Sequence, residues 1–159
     1  MLAGATTLTL GLLLGALLPS FYLLLPLWFA IGLGYSLAQT PSGRLLRRSS
    51  NPEDRPALFA AQFALSHACW LFTYPVAGWL GTTAGLPATF LALAIVAGSA
   101  VVVAVWIWPA NDPESIEHTH ENLPATHPHL AEDVPTSQGP RHSHAFVIDS
   151  IHPEWPRPV

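Results

Sequence analysis

Residues 32–81 read GLGYSLAQTPSGRLLRRSSNPEDRPALFAAQFALSHACWLFTYPVAGWLG, and their alternation of apolar and charged segments is the strongest indication of fold class. An apolar run leads into a short loop with six charged residues, and a second, longer apolar run follows. A helix needs about 20 consecutive apolar residues to cross the hydrocarbon core of a bilayer. The stretch therefore predicts two membrane-spanning helices joined by a charged connection.

The same pattern continues on both sides of this stretch. Apolar segments cover about residues 1–18, 21–40, 57–81 and 86–109, and residues 1–40 and 57–109 contain no Asp, Glu, Lys or Arg. Only 10% of the 159 residues are charged, whereas a soluble domain has about a quarter. The connections within the first and last pairs of segments are short, so each pair should form a helical hairpin. We predict an all-α polytopic membrane protein with four transmembrane helices in residues 1–109, followed by a largely disordered tail, residues 110–159.

The charges are divided unevenly between the loop and the tail. Residues 41–56 have a local balance of +2 and the tail has a balance of −6, which together give the net charge of −4. Short loops rich in arginine stay on the cytoplasmic side, so we expect an integral inner or plasma membrane protein with both termini in the cytoplasm. Because basic residues are few and form no stripe, nucleic acid is not an expected partner. The apolar start without a basic region favours a chain that continues a longer protein.

The spans, the arginine loop and the YPVAGWLG ending of residues 32–81 together resemble the C-terminal part of a major facilitator superfamily transporter. The resemblance extends over residues 1 to about 110. It implies that the four segments are the last four of twelve helices. It also implies partners: the lipid bilayer, the remaining helices from the same parent chain or another subunit, and an unknown small solute. An enzyme is not expected, because the apolar segments contain no carboxylate and no catalytic Ser, His and acid arrangement is recognisable.

Polar residues in the third segment are the candidates for a substrate pathway. Spacings of four, three and four place the following side chains on one helical face: Gln62, Ser66, Cys69 and Thr73. This face either contacts the solute or forms hydrogen bonds between helices. His67, about 120° away, is a candidate for proton coupling or for a hydrogen bond to another helix. Tyr74 precedes Pro75, where the helix either has a static bend or can open a gate.

The charged loop allows three interpretations. It contains Arg44, Arg47, Arg48, Glu53, Asp54 and Arg55. These residues set the topology, contact anionic lipid headgroups, or form a cytoplasmic gate through charge pairs.

Histidines are concentrated in the tail as three His-x-His pairs, with a further histidine near the end. Alternate side chains of an extended chain project to the same face, and imidazole binds Zn, Cu, Fe and Ni. The candidate metal ligands are His118, His120, His127, His129, His142, His144, Asp149 and His152. The last four of these could bind one ion together. The spacings lack the paired cysteines of a closed zinc site, so we expect a labile Zn or Ni site and no required cofactor.

The tail also has interpretations without a metal. It is either a solvated chain or a docking strip, in which the apolar residues Phe146, Val147, Ile148, Ile151 and Trp155 pack on the helices. Our functional prediction is the C-terminal fragment of a secondary transporter with a histidine-rich, metal-binding cytoplasmic tail. The alternative is a small four-helix membrane adaptor or metal-binding protein whose tail is the functional element.

Overall fold

The computed structural model describes residues 1–17, 20–108, 113–119, 123, 129, 134–136 and 139–155, and the side chains of residues 134–136 and 139–142 are outside this description. The helices are α1 (Leu2–Gly15), α2 (Phe21–Gln39), α3 (Ser42–Arg48), α4 (Arg55–Thr83) and α5 (Gly85–Ile107). The strands are β1 (Ser115–Thr119), β2 (Val134–Thr136) and β3 (Gly139–Ala145).

The four long helices follow the apolar segments of the sequence. Two stretches among the described residues are long and apolar enough to cross a membrane. Phe21–Arg48, which comprises α2 and α3, has a mean hydropathy of 1.7, and Gly85–Ile107 has a mean hydropathy of 2.6. Leu2–Gly15 is a shorter apolar helix. These features are those of a membrane protein, and the count of four spans stays a prediction.

The core of the helical region (residues 2–107) lies between α1, α2 and α5. Its buried side chains are Leu12, Leu27, Ile31, Phe90 and Ala94. The backbones of α1 and α2 touch at Gly4 and Gly34: a Cβ atom on Gly34 would lie 2.7 Å from the backbone N of Leu8. Small residues allow such close contact between helices. Helix α4, in contrast, contacts α5 and α3 but contains no buried residue.

A tight turn joins α4 to α5 and gives the hairpin that the sequence predicts. Gly85 has φ +84°, a left-handed conformation that glycine adopts without a steric penalty and that commonly ends helices. The two helices therefore reverse direction at a single residue and pack side by side.

The tail contains an antiparallel sheet with the strand order β1-β3-β2. In the β1–β3 pair, Ile116 is opposite His144 and His118 is opposite His142. The prediction of an all-α chain with a largely disordered tail is wrong for these residues. The strands have no continuous apolar run, so their structure depends on backbone pairing and on ring packing between distant residues. Most of residues 120–133 lie outside the described part of the chain.

Candidate metal centre

Four histidines from distant parts of the tail meet beside the sheet. His118 lies in β1, His144 lies in β3, and His129 and His152 come from outside the strands. One ring nitrogen of each lies within 4.8 Å of those of the other three. His152 is buried, with 4% of its surface exposed, and the other three are half-buried. We call these four residues the metal centre.

The strand register explains how His118 and His144 come together. Ile116 is opposite His144, and alternate residues of a strand project to the same face. His118 therefore shares a face with His144, and their ring centroids are 4.9 Å apart. Phe146, which is only 2% exposed, packs its ring 5.3 Å from His118 and 5.0 Å from His152. Phe146 therefore provides an apolar contact for both imidazole rings.

The hydrogen bonds of the imidazoles fix which nitrogen is available to an ion. Nδ1 of His118 lies 3.0 Å from the carbonyl oxygen of Ile116, and Nδ1 of His144 lies 2.9 Å from that of Ala145. A carbonyl oxygen only accepts, so in each contact the Nδ1 donates its proton. In the neutral ring, Nε2 then carries a lone pair that can bind a metal ion.

The distances between the Nε2 atoms are close to those of a metal site. Nε2 of His152 is 3.0 Å from that of His118 and 3.2 Å from that of His129. Zinc bonds to nitrogen of about 2.0–2.1 Å give a tetrahedral nitrogen–nitrogen distance of about 3.3–3.4 Å. At 3.0 Å two neutral Nε2 lone pairs repel each other, and either a proton on one of the rings or a metal cation between them relieves this repulsion. The cluster therefore has the donors for one tetrahedral divalent ion. To hold it, these two separations would widen slightly, and larger ones, up to 4.8 Å, would shorten.

Asp149 orients His152. Its Oδ1 accepts hydrogen bonds from His152 Nδ1 at 3.0 Å, from His152 N at 2.8 Å and from Ile151 N at 2.9 Å. Burial acts to raise the pKa of Asp149, but these hydrogen bonds and the charge of His152 outweigh it, and the pKa is lowered. A carboxylate that holds the far nitrogen of a histidine ligand is a common second layer of metal sites. In this geometry Asp149 supports a ligand and is not itself one of the four converging groups.

Among the described side chains, the structure thus brings together His118, His129, His144 and His152. His120 and His127 lie outside the described residues. The backbone of His142 pairs with His118, and its side chain is outside the description. The set of His142, His144, Asp149 and His152 is therefore not the one that the described side chains form.

The end of the tail lies against α3 and the first turn of α4. We call residues 146–155 the docked segment. The backbone N of Ile148 donates to the carbonyl oxygen of Arg48 at 3.0 Å, and Arg55 Nη2 donates to the carbonyl oxygen of Ile148 at 3.1 Å. The Arg48 guanidinium lies 4.7 Å from the centre of the Trp155 ring. The sequence suggested docking by apolar packing, whereas these contacts with α3 and α4 are hydrogen bonds and a contact between a guanidinium and a ring.

Three loop arginines contact the tail: Arg44, Arg48 and Arg55. Arg44 forms an ion pair with Glu114, and both side chains are largely exposed. Within the described part of the chain, Glu53 and Asp54 are exposed and form no ion pair with the loop arginines. Arg47 is exposed on the same helix. Sequence reasoning missed Glu114, whose one signal is that it follows the last apolar segment closely.

Three of the four side chains on the predicted polar face of α4 are partly covered. Gln62, Ser66 and Thr73 are half-buried, while Cys69 and Tyr74 are exposed. Gln62 Nε2 donates to Ser42 Oγ of α3 at 2.8 Å, which is a hydrogen bond between helices. Ser66 and Thr73 donate to carbonyl oxygens of their own helix.

His67 lies on the exposed side of α4. Its Nδ1 is 2.8 Å from the carbonyl oxygen of Phe63, and its ring lies between those of Phe63 and Trp70, with centroids 3.8 and 4.8 Å away. Both neighbours and the hydrogen-bond partner belong to α4. The described structure therefore places His67 within one helix surface, apart from the polar face that contains Gln62.

A family model described as Major Facilitator Superfamily matches residues 1–147. The matched region includes the whole helical region and three members of the metal centre, and it ends before Asp149 and His152. No curated protein and no solved structure matches the chain.

Proposed function

This chain belongs to the Major Facilitator Superfamily, whose model matches far more than half of it, and we propose that it is the C-terminal part of a secondary transporter with a divalent-metal site in its tail. The helical region provides four spans, α1, α2, α4 and α5, and both termini lie in the cytoplasm. The convergence of four histidine nitrogens within 4.8 Å carries the metal assignment. Zinc or nickel is the expected ion, because a set of imidazoles suits both.

The transport role is assigned to α4. This helix has a polar face and no buried residue, so much of its surface is free to pack against the other helices of a complete transporter. A small solute would pass along Gln62, Ser66 and Thr73, where polar groups at membrane depth usually face a cavity. Alternating access requires two opposed bundles, so transport belongs to the assembly of these helices with the remaining ones.

Isothermal titration of the chain in lipid nanodiscs with ZnCl₂ and NiCl₂ tests the metal site. We expect one ion per chain, and His152→Ala should weaken binding by at least about 100-fold, more than loss of a supporting group does. His67→Ala is the matched control because it removes a histidine far from the centre. Equal binding by the wild type and His152→Ala, or no binding by either, would contradict the assignment.

The mass of the native species tests the transporter assignment. An antibody against the last twenty residues should detect a membrane protein about three times as large as the 17.1 kDa of this chain, since twelve spans of about 20 residues with loops have that size. A native band at 17.1 kDa would instead favour a four-helix adaptor or an assembly of separate subunits.

A further inference from the structure

The metal centre and the docked segment share their residues, and this sharing suggests how the site is used. His152 is a member of the metal centre and lies between Ile148 and Trp155, the two residues that contact the arginine-bearing helix α3. We propose that a divalent cation at the metal centre is a regulatory ligand that holds the tail on α3 and the first turn of α4. This inference rests on the proposed metal site and adds its regulatory role.

The first connection between the two runs through the backbone. The backbone N–H of Ile148 donates to the carbonyl oxygen of Arg48, and the carbonyl oxygen of Ile148 accepts a hydrogen bond from Arg55 Nη2. Asp149 is the next residue, and it forms a closed turn with His152: Asp149 N donates to His152 O at 3.1 Å, and His152 N donates to Asp149 Oδ1 at 2.8 Å. Docking of Ile148 therefore sets the position of the His152 imidazole.

The second connection runs through ring contacts, one edge-on and one tilted. The Phe146 ring lies 5.0 Å from His152 on one side and 4.8 Å from Trp155 on the other, and Trp155 in turn faces Arg48. A third contact fixes the start of the same segment, because Phe146 N donates to the carbonyl oxygen of Glu114 at 3.0 Å while the Glu114 side chain pairs with Arg44. Contacts to α3 thus reach the metal centre along two paths, one through Ile148 and Asp149 and one through Phe146.

The other members of the centre are not in the docked segment. His118 and His144 belong to the sheet, and their nitrogens meet His152 only when residues 146–155 are folded back. An ion that binds all four histidines selects the docked arrangement, so it must shift the tail toward docking. Thermodynamic linkage makes the effect reciprocal: docking strengthens metal binding by the same factor by which metal strengthens docking.

The docked segment covers the connection between α2 and α4. An arginine-lined cavity of about 420 Å³ lies there, between Arg44, Arg47, Arg48 and Arg55 of the helices and residues 145–147 of the tail. In the proposed transporter this connection lies at the cytoplasmic end of α4, the helix with the polar face. Cation binding would therefore restrict movement of α3 relative to α4 and lower transport.

The test measures metal affinity and docking in the same protein. Zn²⁺ is titrated into the full chain in nanodiscs, as wild type, Arg48→Gln and Arg47→Gln. Arg48→Gln removes the contact with Trp155 without touching a histidine, and we expect Zn²⁺ binding about 5- to 20-fold weaker, within the usual range of coupling between sites. Arg47→Gln makes the same chemical change at an exposed side chain of α3 that borders the same cavity, so it controls for loss of positive charge there, and it should bind like the wild type.

Docking is read by spin labels on two exposed positions. Ser49→Cys and Glu154→Cys in a Cys69→Ala background give one label on each side of the contact. Zn²⁺ should shorten and narrow the distance distribution, and His152→Ala should remove this response. The spin-labelled proteins retain Arg48, so the distance measurement tests whether metal promotes docking even if Arg48→Gln does not fold.

The outcomes separate the two proposals. Absence of Zn²⁺ binding in the wild type would overturn the metal site and this inference together. Normal Zn²⁺ binding in Arg48→Gln, with label distances that do not respond to Zn²⁺, would leave the metal site intact and overturn the regulatory role.

Discussion

The helical region and the tail are held together in different ways. In the helical region, apolar side chains and touching backbones spread the contact along α1, α2 and α5, and α4 remains mostly uncovered. In the tail, a few rings and hydrogen bonds converge on one point, where Phe146 is 2% exposed and His152 is 4% exposed. Extended apolar contact tolerates most single changes, whereas a convergent cluster depends on each member. The two regions should therefore respond differently to substitution.

The largest effect is expected where the helical region has no room. Gly34→Leu places a side chain 2.7 Å from the backbone of Leu8, and backbone atoms cannot rotate away. We expect the free energy of unfolding in detergent to fall by at least about 3 kcal/mol, the upper range for overpacking. Gly32→Leu is the control, since nothing lies within 4 Å of its added Cβ, and it should change stability by less than about 0.5 kcal/mol. Equal effects would show that the α1–α2 contact is not close-packed.

Removal of two metal ligands tests whether the regions are energetically separate. His118→Ala/His144→Ala should weaken Zn²⁺ binding by well over 100-fold, since only two of four donors remain and support alone accounts for 10- to 100-fold. Without metal, thermal unfolding of the helices followed by circular dichroism should match the wild type. A clear loss of helix stability would mean that the tail supports the helical core.

A smaller effect is expected for the group that orients a ligand. Asp149→Asn keeps an oxygen that accepts the hydrogen bonds of the turn but removes the negative charge beside His152. Zn²⁺ affinity should fall by about 10- to 100-fold, measured by competition with a chelating dye. Glu154→Gln removes the same charge at an exposed position and should have little effect. If both variants lose affinity equally, net charge and not orientation explains the loss.

The smallest effect is expected at the exposed ion pair between the two regions. Glu114→Gln removes the partner of Arg44, and exposed pairs contribute about 0.2–1 kcal/mol. Trypsin cleavage after Arg44 in the metal-free protein should rise by no more than about fivefold, and 1 M NaCl should abolish the difference by screening. As a control, Glu53→Gln in the charged loop of residues 41–56 should leave cleavage after Arg44 unchanged.

The helices could be predicted closely, because each depends on its own segment. The predicted segments 1–18, 21–40, 57–81 and 86–109 correspond to Leu2–Gly15, Phe21–Gln39, Arg55–Thr83 and Gly85–Ile107. An apolar segment can be recognised from its own residues, without knowing which helix it packs against. The close contact between the α1 and α2 backbones could not be predicted in this way. Gly32 and Gly34 look alike in the sequence, but of the two only Gly34 contacts α1.

The sequence predicts that the site consists of tail histidines, but it does not show which of them come together. Histidine pairs and an adjacent carboxylate favour metal chemistry. Among the described side chains, however, His118, His129, His144 and His152 converge, and Asp149 binds His152 Nδ1 instead of joining them. That choice follows from the β1–β3 register, in which Ile116 lies opposite His144. Pairing between strands that are about 25 residues apart leaves no local periodicity in the sequence.

In the proposed transporter, where α4 is one of the spans, its length relates the docked tail to bilayer thickness. With 29 residues and a rise of 1.5 Å per residue, the helix is about 43 Å long, whereas a hydrocarbon core is about 30 Å thick. A helix with such excess length must tilt or protrude. Its first turn is contacted by α3 and the docked segment at Arg55 and Phe59. A thinner membrane would expose more of this first turn to water, and a thicker one would bring the docking surface closer to the lipid headgroups.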